Sequence, residues 1–594
     1  MALPTETVER PRTRTTRATV WLAGAALAAA PLATAAYIAS FGVNAVYADH
    51  VGNVVLFDAM SRGALTAKLA FGLANEHRIF FPHLLFLALG RITRFNNVAE
   101  MYAGLALMVA CGFVLYAAYA REWPSRAQAL CWFLPAGLLL FTWRQNELLL
   151  RGDALPTTYL VLLGVFATLL LLDRAERAGP AFAGALAAAT FASFSYLNGL
   201  LVWPIGALLL LFAEPRRPRY ALLVIWLLVG AAVTATYFHG YTKPPQHPSL
   251  LFFARAPFSA IAYVLAAGGG ALAATRDAAI AVGAVLCVLN GAAIAATIQS
   301  VRAGRRAPWG IWLIAFGTLS EVMIAVGRSG MGVDQALSSR YAPFSMTAVI
   351  GCWFVFTAPA VRESMRTDRL RVALLAVALP SVVAGVVDGV QTGRVERQNR
   401  RQAAYVLMTA RFQADETLEL LHPGPRFKVR SAADVLERLR LNVYAEPRVD
   451  PAVLASAPAA ALMSLDLLNS RPIQAARPMR VGSEAAVWLN GWAVDPMARR
   501  RPAAVFVVID GGRLVIPALL ELERPDVAAA LREPAYRRSG FAVSFAAGLL
   551  APGAHALRFT VVTADGRRAM AGSSFTIVRA AADPSSLATP FASR

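Results

Sequence analysis

Eleven apolar segments recur along the chain between residues 20 and 390. They cover roughly 20–41, 99–120, 129–143, 155–172, 180–195, 199–213, 220–238, 278–299, 309–327, 342–361 and 370–389. A helix of about 20 apolar residues crosses the ~30 Å hydrocarbon core of a bilayer. Because the sequence is also 57% hydrophobic with a mean hydropathy of +0.51, it predicts an all-α polytopic transmembrane bundle of about 11 spans, two of them short.

The net charge of +21 comes largely from arginine clusters outside these segments. The tail at 1–19 carries Arg10, Arg12, Arg14 and Arg17. Because cytoplasmic connectors of membrane proteins are enriched in Lys and Arg, the tail and the arginine-bearing connectors are predicted to be cytoplasmic. Eleven crossings then put the C-terminal region on the extracytoplasmic side. Orientation explains the basic excess, so nucleic acid is not expected as a partner.

Segment 254–275 is apolar but contains Arg255 and Pro257. A full crossing here would move the later arginine clusters near 302–306 and 362–371 to the outer side, against the usual charge distribution. We therefore expect a re-entrant or interfacial helix, which a protein-lined cavity can accommodate.

Composition also predicts the domain organisation. A transmembrane domain is predicted over 20–390, and residues 391–479 mix charged helical patterns with proline-containing breaks, typical of an extracytoplasmic helical linker region. Residues 480–578 alternate in polarity between glycine-containing turns, which predicts a small β-sandwich module. This module is expected to bind or pack rather than catalyse, and residues 579–594 are expected to form a frayed tail.

Metal ligation is not predicted from the residue spacing. All four cysteines lie within apolar runs, which argues against a disulfide framework or a zinc cluster. A set of His50, His77 and Glu76 has neither His-x-x-x-His nor Glu-x-x-His spacing. No cofactor is therefore predicted, although a divalent metal remains an open alternative.

Polar residues gather in the loops that are predicted to lie outside. Such residues at the border of the hydrocarbon are costly unless they have partners or a function. The candidate site residues are Asp49, His50, Glu76, His77, Arg78, Glu147, Tyr241, Lys243, His247, Arg328, Arg340 and Tyr341. Their common side predicts one functional site there.

In the first outer loop, 42–98, two acids are candidates for a catalytic base. Asp49 stands beside His50 just beyond the first span and could accept a hydroxyl proton if burial or charge tunes its pKa. It could equally cap the next helix. Glu76 is the second candidate, close to Arg78, whose guanidinium can form a forked contact with phosphate oxygens; an internal salt bridge is the alternative for this group.

Later loops supply the other candidates. If the stretch around Glu147 is helical, Glu147 and Arg151 share one face of the helix. The pair then forms either an ion network or a phosphate clamp. Three prolines stiffen the loop 239–248, which contains two imidazoles, a phenol and an ammonium group. This loop either positions these groups for a site or is simply solvated. Arg328 and Arg340 lie at span ends, where they could hold an anionic headgroup or extend to the interface.

Over roughly residues 20–390, this arrangement resembles the polytopic glycosyltransferases of the GT-C class. The likeness lies in the many spans, the long first outer loop with Asp49 near its start, the re-entrant segment and the appended outer domain. Three stretches are similar to uncharacterised bacterial multi-pass proteins related to that class: Glu76-His77-Arg78 with Phe80-Phe81-Pro82, Tyr241 to Ser249, and Ala336 to Tyr341. Members of the class often carry two acids where this chain has Asp49 followed by His50.

The terminal module is similar to β-sandwich modules attached to bacterial glycosylation proteins. The likeness lies in Gly491 to Asp495 and Arg524 to Val527. This similarity implies contact with a glycan.

The resemblance implies an enzyme of the inner (plasma) membrane of a bacterium. It would move a sugar from a polyprenyl-phosphate donor to an extracytoplasmic glycan or lipid acceptor, so its partners would be the bilayer, the polyprenyl-phosphate-linked sugar and that acceptor. In the expected mechanism Arg340 holds the phosphate, with Arg328 or Arg78 assisting. Asp49, or failing that Glu76, takes the hydroxyl proton, and one direct displacement inverts the anomeric centre.

Two interpretations from other classes remain. A transporter or flippase for lipid-linked glycans would need the same anion-binding face but no base, although paired internal halves and mid-span acids, frequent in secondary transporters, are not evident. The other is a non-catalytic cell-envelope scaffold in which the outer module does the recognising.

Overall fold

A computed structural model describes residues 16–212, 219–245, 247–364, 367–422, 426–445, 459–473, 478–482 and 485–580. The chain divides into two compact units. The helical unit comprises Met1–Gly42, Leu65–Leu89 and Asn97–Arg397, and the β-rich unit comprises Val43–Ala64, Gly90–Asn96 and Gln398–Arg594. Most of the predicted tail at 1–19 and nearly all of the one at 579–594 lie outside the described residues.

The α-helices of the described residues are α1 (Arg17–Phe41), α2 (His50–Ser61), α3 (Ala67–Ala70), α4 (Phe80–Thr93), α5 (Asn97–Ala120), α6 (Arg126–Leu140), α7 (Asn146–Leu149), α8 (Ala154–Arg174), α9 (Pro180–Ser193), α10 (Val202–Phe212), α11 (Tyr220–Phe238), α12 (Phe252–Arg255), α13 (Pro257–Gly270), α14 (Arg276–Arg302), α15 (Gly310–Arg328), α16 (Ala342–Thr357), α17 (Pro359–Ser364), α18 (Asp368–Met408), α19 (Asp415–Leu418), α20 (Arg426–Leu439) and α21 (Pro525–Ala530). Short 3-10 turns at Ser329–Met331, Val333–Leu337 and Ser339–Tyr341 join α15 to α16.

The β-strands are β1 (Leu73–Ala74), β2 (His77–Arg78), β3 (Ala459–Ala460), β4 (Leu462–Leu468), β5 (Arg471–Pro472), β6 (Met479–Val481), β7 (Ala486–Val494), β8 (Ala504–Ile509), β9 (Leu514–Pro517), β10 (Leu519–Leu522), β11 (Gly540–Ala546), β12 (Gly553–Val562) and β13 (Ala569–Arg579).

Seven helices of the described residues are long and apolar enough to cross a membrane. They are α1, α5, α8, α11, α14, α15 with the turn that follows it, and α18. They coincide with the predicted spans 20–41, 99–120, 155–172, 220–238, 278–299, 309–327 and 370–389. Seven such helices indicate a membrane protein, as the apolar segments predicted.

The other four predicted spans are helices that are too short to cross a bilayer by themselves. Helices α6, α9, α10 and α16 have 15, 14, 11 and 16 residues, and a rise of 1.5 Å per residue gives at most about 24 Å. Part of each apolar segment lies in connectors and 3-10 turns such as Leu197–Leu201, because hydropathy does not distinguish a helix from a buried turn. The predicted count of about 11 spans is therefore not confirmed.

The predicted re-entrant segment forms the short helices α12 and α13. Helix α13 has 14 residues, the same number as α9. Its length therefore does not distinguish a re-entrant helix from a short span, and the re-entrant assignment stays a prediction.

Burial separates the helices of the helical unit into inner and outer sets. All 16 residues of α16 are buried, whereas α1 and α11 expose large apolar side chains such as Trp21, Leu32 and Leu228. Apolar surface of this kind is what a bilayer covers. Helices α1 and α11 are therefore expected to face lipid, with α16 at the centre of the unit.

Small residues allow the central helices to approach closely. A Cβ atom at Gly310 of α15 would lie 2.5 Å from the Gly351 carbonyl oxygen of α16, and one at Gly351 would lie 2.6 Å from the Gly310 carbonyl oxygen. Glycine at both positions brings the two backbones together, as is common between membrane helices.

The β-rich unit contains two sheets. One has the strand order β10-β11-β7-β4-β5, and the other has the order β3-β13-β12-β8-β9, with β6 also paired to β13. Strands β3 and β6 run parallel to β13, and the other pairs are antiparallel. Val487 and Phe541 of the first sheet share one apolar core with Val507 and Phe559 of the second, as in two sheets packed face to face.

The strands begin earlier than predicted. Strands β3 and β4 precede residue 480, within the stretch 391–479 that was predicted to be a helical linker, whose helices are the end of α18, α19 and α20. A register shift between Leu465 and Leu467 of β4 interrupts the polarity alternation from which strands are recognised. Predicted glycine turns are present at Gly511 and Gly553, whose φ angles are 69° and 122°.

Candidate functional site

A tight β-hairpin between α3 and α4 carries Glu76. Strand β1 pairs with β2 so that Ala74 lies opposite His77, and Asn75 and Glu76 form the turn. Asn75 has a φ of 57°, a left-handed conformation that asparagine tolerates better than most other side chains. The turn therefore presents Glu76 and His77 beside Arg78.

Arg78 anchors this hairpin to the C-terminal end of α11. Its Nε donates to the Tyr237 carbonyl at 2.5 Å, its Nη1 to the Phe71 carbonyl at 3.0 Å and its Nη2 to the His239 carbonyl. Carbonyl groups at a helix C-terminus lack helical partners and favour a cation. Arg78 is thus a positioning residue, and the geometry does not favour its predicted role as a phosphate ligand.

Glu76 is contacted by three side chains. Its Oε1 forms a salt bridge with Arg328 and lies 3.4 Å from His77 Nε2, and its Oε2 lies 3.6 Å from His247 Nε2. Glu76 is 8% exposed, and within the described residues its Oε2 accepts no hydrogen bond. We call Glu76, His77, His247 and Arg328 the Glu76 cluster.

The cluster keeps Glu76 ionised. Burial raises the pKa of Glu76, but its interactions with His77 and Arg328 outweigh burial, and the pKa is lowered below its usual value. Glu76 Oε1 is already held by the Arg328 guanidinium and faces His77 Nε2. Glu76 is therefore better suited to orienting its neighbours than to accepting a proton itself.

His77 has a fixed ring and an unpaired nitrogen. The ring stacks on Tyr196 with centroids 3.8 Å apart and planes at 25°, and within the described residues its buried Nδ1 has no hydrogen-bond partner. Burial lowers the pKa of His77 to about 4, with Glu76 opposing this effect and Arg328 adding to it. At neutral pH the ring is uncharged, and a hydrogen on Nε2 directed at Glu76 leaves Nδ1 as an acceptor.

Arg340 brings a second cation to the cluster. It belongs to the last 3-10 turn before α16, and its charge acts on His77 and Tyr196. Over the stretches that the structure describes, Arg340 forms no salt bridge and its buried Nε has no acceptor; its guanidinium lies 5.3 Å from the Tyr341 ring centroid. A partly desolvated guanidinium of this kind can hold an anionic ligand group.

The 3-10 turn with Arg340 is held from two sides. Tyr341 Oη accepts a hydrogen bond from Gln335 Nε2 at 2.8 Å, and Gln335 Oε1 accepts one from Tyr263 of α13. Glu147 donates its backbone N–H to Ser339 Oγ at 3.1 Å. These contacts fix the backbone from which Arg340 extends.

Glu147 belongs to an ion network. Its Oε1 lies 3.9 Å from Arg151 Nη1, and Arg151 pairs more closely with Asp153, at 2.6 Å. Of the two interpretations of the Glu147 segment, the ion network fits this geometry better than a phosphate clamp.

The loop 239–248 contributes His247 to the cluster. The His247 side chain is buried, and burial lowers its pKa despite the opposing effect of Glu76. Burial raises the pKa of Tyr241, and Glu76 adds to this effect. Lys243 is exposed, so this loop supplies one cluster residue and a cation at its surface.

Asp49 and His50 belong to the β-rich unit. Asp49 is exposed, and its side chain makes no capping hydrogen bond at the start of α2. His50 is buried, with Nδ1 2.8 Å from Asn53 Nδ2 and its ring against Phe95. Asp49 therefore lacks burial, one of the two features that were expected to make it a base, and neither residue is a member of the Glu76 cluster.

The described part of the chain holds no group of three or more His, Cys, Asp or Glu side chains arranged to bind a metal ion.

Sequence reasoning missed two residues that shape the site. Tyr196 stacks on His77, and the only local signal beside it is the Asn198-Gly199 pair, which is typical of a turn. Gln335 connects Tyr341 with Tyr263, and its position in the polar stretch before Arg340 was the available signal.

Known proteins provide one weak similarity. An uncharacterised protein of Archaeoglobus fulgidus is 25% identical over 241 residues, which cover 35% of this chain and 59% of that protein. The chain thus spans less than two thirds of this relative. No family model and no solved structure matches the chain.

Proposed function

We propose that the helical unit is a membrane glycosyltransferase that uses a polyprenyl-phosphate sugar as its donor. The observation that carries the proposal is the proximity of His77, neutral with an unpaired buried nitrogen, to Arg340, a cation that forms no salt bridge within the described residues. Sugar transfer needs a group that accepts the hydroxyl proton and a cation that stabilises the departing phosphate. The Glu76 cluster with Arg340 offers both.

His77 then acts as the base in place of Asp49 or Glu76. Its Nδ1 takes the proton of the acceptor hydroxyl while that oxygen forms a bond to the anomeric carbon. The bond from this carbon to the phosphate oxygen breaks, and the polyprenyl phosphate leaves with the electron pair toward Arg340. Glu76 orients the imidazole and stabilises its charged form, as in carboxylate–imidazole pairs, and the single displacement inverts the anomeric centre.

We also propose about eleven crossings, with the four short helices completing theirs through flanking turns or local bilayer thinning. The positions of the ends of these short helices support this count. Helix α9 follows the end of α8 near Asp173 and leads to Tyr196, which stacks on His77. Helix α10 returns toward Arg219, which donates to the Leu172 carbonyl near the end of α8. Helix α16 begins beside Arg340 and ends before Ala358.

The Glu76 cluster is proposed to face the extracytoplasmic side of a bacterial inner membrane. The helix ends opposite to it carry Arg121, Arg174 and Arg306, the charge distribution of a cytoplasmic face. The acceptor is accordingly an extracytoplasmic glycan or lipid.

Purified protein in vesicles with labelled polyprenyl-phosphate sugars and lipid or glycan acceptors tests this function. His77→Gln and Arg340→Ala should each lower the transfer rate by about 100-fold or more, because a positioned base and an electrostatic stabiliser each contribute about that much. Asp49→Asn and the exposed control Arg276→Ala should keep the wild-type rate. Wild-type rates for both His77→Gln and Arg340→Ala would overturn the proposal.

The same vesicles separate the rival functions. Movement of labelled carrier across the membrane without transfer of its sugar would identify a flippase. A scaffold would show neither activity, and its function in cells would depend on residues 480–578 rather than on His77.

A further inference from the structure

A second polar cavity lies at the opposite end of the helical unit from the Glu76 cluster. It has a volume of about 230 Å³ and is lined by Arg121, Glu122, Asp173, Arg306 and Trp309, together with small residues. Helix α8 runs from one end to the other with 21 residues, which corresponds to about 31 Å. The two polar regions are therefore separate.

Basic and acidic groups line this cavity together. Arg306 Nη2 lies 2.5 Å from Asp173 Oδ1, and Arg121 Nη1 lies 4.0 Å from Asp173 Oδ2. Both arginine side chains are more than a third exposed, so they reach the cavity from its rim. One guanidinium has five N–H donors, so a guanidinium at the rim can contact a ligand while it also faces Asp173.

Two residues that line the cavity, Glu122 and Trp309, carry buried polar atoms without partners in the described part of the chain. Glu122 Oε1 accepts the backbone N–H of Trp309 at 2.6 Å, but within the described residues its buried Oε2 accepts no hydrogen bond. The indole N–H of Trp309, a residue that is only 3% exposed, likewise donates to no acceptor within the described residues. Buried polar groups are nearly always paired, so these two atoms point to a ligand with hydrogen-bonding oxygens.

We propose that this cavity binds a phosphodiester group. A phosphodiester presents acceptor oxygens in several directions, which suits the indole N–H of Trp309 and the guanidinium groups of Arg121 and Arg306. Protonated Glu122 donates its hydroxyl to another phosphate oxygen. The group is supplied by a phospholipid or by a soluble phosphodiester, and this binding is independent of the proposed sugar transfer.

Glu122 couples binding to protonation. Burial raises the pKa of Glu122 to about 7; Asp173 adds to this, while the Trp309 N–H, Arg306 and Arg121 oppose it. An added negative charge raises the pKa of Glu122 further. Binding therefore takes up a proton near pH 7, and affinity falls as the pH rises from 6 to 8, because the diester itself does not titrate in this range.

Calorimetric titration of the full-length protein in micelles tests the proposal with two probes, dimethyl phosphate and dihexanoyl phosphatidylglycerol. Trp309→Phe should weaken binding roughly tenfold, the loss expected when one hydrogen bond to a charged group is removed. Trp312→Phe is the matched control, because Trp312 also has a buried indole N–H without a partner but does not line the cavity. Glu122→Gln should bind with an affinity that does not change with pH.

The two probes distinguish the source of the group. Tighter binding of the lipid identifies a phospholipid headgroup, and equal binding identifies a soluble phosphodiester; both outcomes support the cavity. Failure of both probes to bind, or equal weakening by Trp309→Phe and Trp312→Phe, would overturn it. Proton uptake that persists in Glu122→Gln would also contradict the assigned role of Glu122.

Discussion

At the scale of single residues, the Glu76 carboxylate and the Arg328 guanidinium compensate each other's burial. A charge removed from water is costly unless it is paired, and here the salt bridge lies between two neutral imidazoles. Burial raises the pKa of Glu76 and lowers that of His77, and the Arg328 charge lowers both within this enclosure. It holds one negative and one positive charge while leaving the rings uncharged.

The lowered pKa of His77 predicts an unusual pH profile for transfer. The base must be neutral, so the rate should stay level from pH 8 to 6 and fall only as the pH approaches about 4, whereas an ordinary histidine would lose activity near pH 6.5. Glu76→Gln should move the midpoint to still lower pH, because Glu76 raises the pKa of His77. Initial transfer rates measured across this range give the midpoint, with circular dichroism as a check that the protein stays folded. A midpoint near 6.5 would contradict His77 as the base.

At the scale of elements, the 3-10 turns position the candidate site. Three of them connect α15 to α16 and carry Arg340 and Tyr341, and a two-residue hairpin carries Glu76. Loops and turns held by a rigid scaffold are common locations for functional residues. Here the scaffold is the buried helix α16 and its glycine contact with α15.

Strand β12 of the β-rich unit carries a titratable contact that stabilises the sheet. His555 Nδ1 lies 2.7 Å from Asp510 Oδ2, and Nε2 lies 2.7 Å from the Ala551 carbonyl oxygen. Both ring nitrogens therefore donate, and the hydrogen bond to Asp510 raises the pKa of His555. The contact favours the protonated ring.

This raised pKa predicts a loss of local stability with rising pH. The stabilisation is fully present below the unfolded value near 6.5 and disappears as the pH rises through the higher folded value. Hydrogen exchange of β12, corrected for the intrinsic pH dependence, should show a few-fold loss of protection between pH 5.5 and 8.5 in the wild type. His555→Gln should remove this difference, and an unchanged pH dependence in that variant would exclude the contact as its cause.

At the scale of the whole molecule, the helical unit has polar chemistry at both ends and apolar helices between them. One end gathers the Glu76 cluster with Arg340, and the other gathers arginines around the Glu122 cavity. With apolar faces exposed on α1 and α11, this distribution matches a bundle across a bilayer whose two faces differ in charge.

Cysteine labelling tests whether the two ends of the helical unit lie on opposite sides of the membrane. In a variant without the four native cysteines, Lys243→Cys should react with an impermeant maleimide added to intact cells after outer-membrane permeabilisation. Arg177→Cys should react only after the inner membrane is opened, because its loop follows the opposite end of α8. Leu228→Cys, on the exposed apolar face of α11, should stay unlabelled in both states. Labelling of the first two from the same side would contradict the proposed orientation.

Local patterns were sufficient for the membrane class, for the seven long apolar helices and for the presence of a β-rich C-terminal region. Hydropathy and polarity alternation reflect which side chains leave water, and neighbouring residues in the chain carry that information. The same patterns did not distinguish the short helices α9 and α10 from the apolar turns that adjoin them, and they missed β4, where a bulge interrupts the alternation.

The chemistry of the candidate site depended on contacts between distant parts of the chain. Glu76 and Arg328 are 252 residues apart, and neither short spacing nor composition encodes their pairing. Arg78 became an anchor because the carbonyls at the end of α11 face it, whereas Asp49 is exposed. Burial and partners determine whether a polar side chain binds, orients or accepts a proton, and these arise only when the helices pack.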